Sequence, residues 1–519
     1  MIAVVFILVL VGVLLGLPLF GIGGAEALPV LPILGVLAGF CAFFGAGIHI
    51  GAALGVLGIL MGFAFSDRPF WTFLGQTIWG PSSSFVLVSV PLFLLMGEIL
   101  LRAGLSERLY RALNVWMDRA PGGLLHTNIL SCSVFSAVSG SSVATAAAMG
   151  SVALPFFQGR GYEPRMVMGS LAAGGALGNL IPPGITFIIY ALITETSVGA
   201  LYLAAVGPAL LVIFLFTLVI LVNRKAAPPP SERIPLREKL RALVGLIPTL
   251  LLILVVLGTI YAGLATPTES AALGVVAALA IAVVERRFSL RMLHDSAEAT
   301  ARNTAMIGLI LMGAYTLNYV IGLLGVPQMM AQAVGGLPLP AWVIMAMIIG
   351  FYIALGTFME GFSMIITTVP VIFPVVMALG YDPIWFGVVV TMLVEIALIS
   401  PPDGTVLYVL QGLRRDGGPI TQVFAGVLPF VLVYILAIVV LMAFPAIAGW
   451  FPMTRSASAA AASTVRHVRW CGMRCSSLPV NGGGRALTAW SPPRTPGSSS
   501  PAALPHSSGA PPACGTARH

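Results

Sequence analysis

Charge is scarce in this chain. Of 519 residues, 26 are Lys or Arg and 18 are Asp or Glu, 8% of the sequence, where a soluble domain carries about 25%. Apolar residues reach 58% and the mean hydropathy is +1.01. A water-soluble fold with this balance has too few polar groups to cover its surface. Soluble enzyme, secreted disulfide scaffold and disordered chain are excluded, and a polytopic membrane protein remains. Lysine is nearly missing: Lys225 and Lys239 are the only two. With no Gly-x-x-x-x-Gly-Lys-Ser/Thr loop, the chain cannot hydrolyse ATP through a P-loop of its own. No Ser/His/Asp arrangement points to hydrolysis, and His49, His126 and His294 are dispersed without metal spacing. Of the five cysteines, Cys41 and Cys132 sit in apolar or small-residue runs as buried thiols. The other three lie near the C-terminus, so cysteine usage says little about redox compartment.

The formal net charge of +8 is a property of one segment. Residues 454–519 hold seven Arg and no acid, whereas the rest carries 19 basic against 18 acidic residues. No basic face is left for nucleic acid. This Ser-, Ala-, Pro-, Gly- and Arg-rich segment has no helical or strand periodicity and reads as a disordered tail. Cys471 and Cys475 with His467 lack a fourth ligand and the spacing of a metal cluster.

Upstream, apolar runs recur at bilayer length. Spans are expected near 3–20, 28–45, 47–64, 84–102, 165–195, 198–222, 244–263, 267–284, 303–324, 383–413 and 420–449. The run 3–20 lacks a basic n-region, so it reads as a retained span, an extra element over residues 1–24. Two further stretches, 122–157 and 341–377, are interrupted by small or polar residues. Each is expected to be a re-entrant helical hairpin. Arg224, Lys225, Arg233, Arg237, Lys239 and Arg241 put the linker 223–243 in the cytoplasm. Counting spans from there places the basic segments 102–122, 285–291 and Arg414-Arg415 inside too, the N-terminus inside and the C-terminus outside. The first hairpin then opens from the cytoplasm and the second from the exterior.

The chain also resembles itself at an offset of 219 residues. Ala52-Ala53-Leu54-Gly55-Val56 meets Ala271-Ala272-Leu273-Gly274-Val275, and Gly161-Tyr162-Glu163-Pro164 meets Gly380-Tyr381-Asp382-Pro383. Pro29 meets Pro248, Pro155 meets Pro374, Pro182-Pro183 meets Pro401-Pro402, and Thr186 meets Thr405. An odd number of spans separates equivalent points. The expected architecture is therefore all-α with two inverted-topology repeats, 25–222 and 244–453, a form characteristic of secondary transporters.

Each Pro-Pro pair falls in the middle of a span. Two prolines remove two amide donors and clash with the preceding turn. The break exposes carbonyl oxygens, which suit a dehydrated Na⁺, and a half-helix N-terminus, which suits a carboxylate. The first candidate site combines Ser139, Gly140, Ser141 and Ser142 with Asn179, Pro182, Pro183 and Thr186. The second combines Gly356, Thr357, Glu360 and Gly361 with Ser400, Pro401, Pro402, Asp403, Gly404 and Thr405. For any single Ser, helix packing through small residues is an equal alternative. Asp403 follows the second pair as a helix cap or as a cation or proton ligand. Glu98 and Glu395 read as interhelical hydrogen-bonding groups. Thr266-Pro267-Thr268-Glu269 reads as a capping box with Pro at the first helical position.

These residues resemble a known family. Ser139 to Gly150 (Ser-Gly-Ser-Ser-Val-Ala-Thr-Ala-Ala-Ala-Met-Gly), Ile181-Pro182-Pro183, Thr266 to Glu269 and Leu398-Ile399-Ser400-Pro401-Pro402 look like the large membrane subunit of tripartite ATP-independent periplasmic (TRAP) transporters, over about residues 28–453. The resemblance implies an elevator-type, sodium-driven importer, not an enzyme, in the bacterial cytoplasmic (inner) membrane. It would carry a carboxylate-bearing organic acid of C4-dicarboxylate or sugar-acid type, with Na⁺ as coupling ion and no other cofactor. It also implies two partners, a periplasmic solute-binding protein and a small four-helix membrane subunit, for which the extra N-terminal span is too short. Asp403 departs from the family's small apolar residue: either it is protonated or the substrate is not a dicarboxylate. The alternative is a sodium- or proton-coupled organic anion carrier working without a binding protein.

Overall fold

The structure, a computed structural model, describes residues 39, 42–43, 48–66, 69, 71–117, 119–228, 235–328, 332, 339–357, 359–402, 404–415 and 417–449. The expected span 3–20, nearly all of 28–45, the tail 454–519 and Asp403 lie outside the described residues.

Among the described residues every regular element is helical. The first part of the chain forms α1 (Ile50–Phe65), α2 (Trp71–Ser82), α3 (Ser89–Arg102), α4 (Leu105–Met117), α5 (Leu124–Ser139), α6 (Ser142–Phe157), α7 (Pro164–Gly175), α8 (Ile185–Thr194) and α9 (Val198–Val222). The second part forms α10 (Leu236–Leu243), α11 (Ile247–Tyr261), α12 (Pro267–Val284), α13 (Leu290–Leu323), α14 (Ala341–Leu355), α15 (Gly361–Ala378), α16 (Pro383–Ile399), α17 (Thr405–Leu413) and α18 (Ile420–Ala443). Seven helical stretches among them are long and apolar enough to cross a bilayer: Phe85–Arg102, Val198–Val222, Leu236–Tyr261, Pro267–Val284, Leu290–Leu323, Gly361–Ala378 and Ile420–Ala443. Large apolar side chains stay exposed on the outer helices, among them Leu210, Phe214, Leu254, Val276 and Leu432. Water would penalise such a surface, and hydrocarbon does not. The chain is a multi-pass membrane protein.

Three differences from the expected spans have physical reasons. The stretches 165–195 and 383–413 each divide in two, into α7 and α8 and into α16 and α17. None of these is longer than 17 residues, so at about 1.5 Å per residue none spans a core of about 30 Å. Helix α13 begins at Leu290 rather than 303. Ser289 caps it by accepting the Met292 amide at 3.1 Å, and a charged first part stays helical because backbone bonding is indifferent to hydropathy. Helices α2, α4 and α10 occupy segments that hydropathy leaves as loops. Helix α4 buries Leu105, Leu109, Tyr110 and Ala112 while Arg111 and Glu107 pair on its exposed side. The expected capping box is present: Thr266 accepts the Glu269 amide, and Glu269 accepts the Thr266 amide at 2.8 Å.

The halves interlock. Helix α1 packs on α13, and α3 on α12; α8 packs on α15, and α17 on α6. Under the 219-residue offset, each of these contacts is matched by one with the halves exchanged. The α1–α13 contact is backbone to backbone: a Cβ on Gly313 would lie 2.1 Å from the Gly51 carbonyl oxygen, and one on Gly58 2.7 Å from the Leu317 nitrogen.

The basic segments gather at one end. Arg102 pairs with Asp295 at 3.6 Å and Arg108 with Glu285. Trp116 Nε1 donates to the Lys239 carbonyl at 3.1 Å, and the Glu163 amide to the Ala226 carbonyl at 2.9 Å. Arg414 and Arg415 line a cavity of about 390 Å³ with Gly159 and Tyr162. A different set of ends meets where the Tyr190 hydroxyl donates to the Pro383 carbonyl at 2.6 Å and the Tyr261 hydroxyl to the Tyr202 carbonyl at 3.4 Å. Helix α9, 25 residues or about 37 Å long, runs between the two.

A side chain at Gly313 has no room at the α1–α13 contact. Gly313→Val is expected to destabilise the protein by about 3 kcal/mol, the upper end of ordinary overpacking costs, read as a lower Tm in detergent. An unchanged Tm would contradict the contact.

Candidate functional site

The first hairpin is written in four residues. Gly140 adopts φ +61°, the left-handed conformation that ends α5, and its amide donates to the Ser136 carbonyl at 3.1 Å. Ser141 follows as the cap of α6, its Oγ accepting the Ala144 amide at 3.5 Å. Stop and start signals thus abut, and α5 and α6 pack on one another. Ser139 and Thr145 share a hydrogen bond of 2.6 Å across the tip.

The tip docks on the first break. After α7 the chain leaves helical geometry, passes Asn179 and the Pro182-Pro183 pair, and restarts as α8 with Gly184 before its first residue. The Ile185 amide donates to the Gly140 carbonyl at 3.2 Å. A Cβ on Gly140 would lie 2.5 Å from the Pro183 carbonyl oxygen, and one on Gly178 2.3 Å from both Cα and N of Ser142. Only glycine permits these approaches.

One residue from the other half enters this site. Glu395, on α16 and fully buried, accepts from Ser142 Oγ at 2.7 and 2.9 Å and from the Asn179 amide at 3.0 Å. Asn179 Nδ2 donates to Ser142 Oγ at 3.0 Å. Among the described residues, Asn179 Oδ1 and Thr186 Oγ1 are buried with no hydrogen-bond partner. Such atoms are costly in a protein interior unless something ligates them. An alkali cation, a hard ion that takes oxygen ligands, fits this donor set.

The second set is more open. Gly356 lies against α16, where a Cβ would meet Ala397 Cβ at 2.7 Å, and Gly361 lies against Val394. The arms α14 and α15 carry larger side chains and are bridged by Thr368 Oγ1 donating to the Tyr352 hydroxyl at 2.7 Å. Glu360, expected as a cation ligand, caps α15 by accepting the Ser363 amide at 3.1 Å and its hydroxyl at 3.2 Å. Thr357 donates to the Ala354 carbonyl at 2.7 Å. Ser400 ends α16 in extended geometry, as a residue before proline does, and its carbonyl accepts the Gly404 amide at 2.9 Å. Pro401 is half-buried and Pro402 exposed; the Pro402 carbonyl accepts the Tyr408 hydroxyl at 2.7 Å. Thr405 Oγ1, the counterpart of Thr186 Oγ1, is likewise buried without a partner.

The structure therefore brings Ser142 and Asn179 into direct contact and joins Gly140 to Pro183. Ser139 and Ser141 are engaged within the tip itself. Glu395 is the residue that sequence reasoning undervalued. Its signal was an acid six residues before a Pro-Pro break with no basic residue a helical turn away.

A bundle of bilayer-length helices with two interrupted helices, oxygen-rich at the breaks, defines a membrane transporter. The fold is similar to that of the Alcanivorax borkumensis YdaH transporter, with a TM-score of 0.51 at 19% identity, covering 82% of this chain and 98% of that one. Residues 37–447 match the tripartite ATP-independent periplasmic transporter, DctM component. This chain is similar to the C4-dicarboxylate TRAP transporter large permease protein DctM of Pseudomonas aeruginosa, 34% identical over 368 residues, 70% of this chain and 86% of that protein. It is also similar to the sialic acid TRAP transporter large permease protein SiaM of Vibrio cholerae, 30% identical over 378 residues, 72% of this chain and 87% of that protein. The chain belongs to the DctM family of TRAP transporter large permeases.

Gly178→Ala puts a methyl group where Ser142 stands. It is expected to lower uptake by the reconstituted system at least about tenfold, a displacement cost of about 1.4 kcal/mol or more, while membrane insertion is kept. Uptake at the wild-type rate would show that the tip does not need this contact.

Proposed function

We propose that this permease imports a carboxylate-bearing solute by coupling it to a sodium gradient, in the cytoplasmic membrane, with the basic end inside. The observation that carries the reading is the pair of buried, partnerless hydroxyls at corresponding positions, Thr186 and Thr405, each just after a Pro-Pro break. Asn179 Oδ1 adds a third such oxygen at the first break. Sodium binding at the two hairpin and Pro-Pro sites would satisfy these atoms and hold the tips. The N-termini of α8 and α17 then offer positive dipole ends to a substrate carboxylate. Two relatives are named for C4-dicarboxylate and for sialic acid, both carboxylates, which supports the substrate class.

In this reading the halves are inverted repeats, and the hairpins with the broken helices move as one body, elevator-fashion, against α1, α3, α12 and α13. Ser139 rubs against that scaffold, since a Cβ on Gly97 of α3 would lie 3.2 Å from the Ser139 Cα. A periplasmic solute-binding protein delivers the substrate, and a small four-helix membrane subunit completes the scaffold. Asp403, beside the second break in sequence, carries a cation or proton or caps the half-helix.

The test is uptake by the protein reconstituted with its binding protein and small subunit. Accumulation is expected to cease when the Na⁺ gradient is collapsed; accumulation that continues would reject the coupling. Thr186→Val removes one oxygen at constant shape and is expected to raise the Na⁺ concentration for half-maximal uptake about tenfold, equivalent to about 1.4 kcal/mol. An unchanged requirement would remove Thr186 from the site. Pro182→Ala with Pro183→Ala, which lets the helix continue, is expected to abolish uptake without blocking insertion.

A further inference from the structure

We infer that Glu395 is the counter-charge of the first cation site, acting from the opposite half of the chain through Asn179 and Ser142. The inference rests on the sodium reading above and assigns the charge that a cage of neutral oxygens lacks.

The argument is one of donors and acceptors. The Asn179 backbone amide and Nδ2 can only donate. Within reach they have Ser142 Oγ, at 3.1 and 3.0 Å, and for the backbone amide also Glu395 Oε1, at 3.0 Å. With Ser142 Oγ receiving those hydrogens, its own hydrogen faces the two carboxyl oxygens at 2.7 and 2.9 Å. The network thus offers the carboxyl two donors, the Ser142 hydroxyl and the Asn179 amide, and donors of this kind stabilise its ionised form. Among the described residues no ion pair includes Glu395. A fully buried carboxylate with hydrogen bonds but no positive partner is destabilising.

The missing positive charge has a place. As Nδ2 of Asn179 donates into the Ser142–Glu395 pair, the amide polarises and its other end becomes more negative. That end is Oδ1, the atom left buried without a partner. Glu395 therefore reaches the cation through a polarised amide rather than by touching it, and is a positioning residue. The offset of 219 gives Ala176 as the counterpart of Glu395 and Gly361 as that of Ser142, so the second site has no equivalent network. The two sites are unequal, and the first holds its cation with a protein charge behind it.

The experiment is sodium-dependent thermal stabilisation of the purified full chain, titrating NaCl against choline chloride at constant ionic strength. Glu395→Gln keeps size and hydrogen-bonding reach and removes the charge. It is expected to need about tenfold more Na⁺ for half-maximal stabilisation, with a Tm in choline equal to or above that of the wild type, because an uncompensated buried charge is gone. Ser142→Ala, which cuts the link and leaves the carboxylate in place, is expected to raise the Na⁺ requirement as well. A wild-type Na⁺ requirement in either variant overturns the inference. So does a Glu395→Gln protein whose Tm falls in choline while its Na⁺ response is kept, since that is what a purely structural carboxyl would do. A wild-type protein that Na⁺ does not stabilise overturns the sodium reading itself and this inference with it.

Discussion

A bilayer offers no hydrogen bonds to a helix that stops halfway, and this constraint organises the rest of the molecule. Where the Pro-Pro pairs interrupt their helices, the freed backbone groups must be met by protein or by a ligand. At the first break one of them is met by the hairpin tip: the Ile185 amide finds the Gly140 carbonyl at 3.2 Å. To bring the tip that close, the chain uses glycine at 140 and 178 and serine at 139, 141 and 142. To keep lipid away, it buries α16 from Trp385 through Ile399 and almost every residue of α5 and α7. The outer helices α9, α11, α12 and α18 then carry the apolar surface that faces hydrocarbon.

Buried oxygens without partners are spread over many helices among the described residues, Ser136, Thr249 and Asn318 included, and three belong to the candidate sites. Tyr202 and Tyr434 also lack partners, but each sits on one long continuous helix with its ring packed in aromatic neighbours. Asn179, Thr186 and Thr405 instead flank the helix breaks. The carboxyl of Glu395 joins the first of these breaks to α16, the helix that leads into the second break.

Much of this was legible in the residues. Ser139-Gly140-Ser141-Ser142 says stop and start within one turn, and the structure shows both caps. The Pro-Pro pairs marked where long apolar runs divide. The basic segments, grouped by charge alone, prove to touch one another through Arg102–Asp295, Arg108–Glu285 and Trp116–Lys239. What could not be read was partnership across the chain. Glu395 and Ser142 are 253 positions apart, and an acid in an apolar helix looks the same whether it bonds along its own helix or across to another. Nor does hydropathy register α13's charged first part or the cap at Ser289, because a helix ends where its backbone bonds end rather than where its side chains become polar. Glu360 carries the converse lesson: an acid at a hairpin tip serves as the cap of the helix that follows.

The central claim is that the two halves cross the membrane in opposite senses, so that each break is met by a hairpin from a different face. The most direct measurement is labelling of single cysteines, Ser197→Cys and Arg415→Cys, in a protein otherwise free of cysteine, with a membrane-impermeant maleimide applied to intact right-side-out vesicles. Modification of the first and protection of the second until the membrane is permeabilised is the result this architecture requires. Modification of both from the outer side would contradict it.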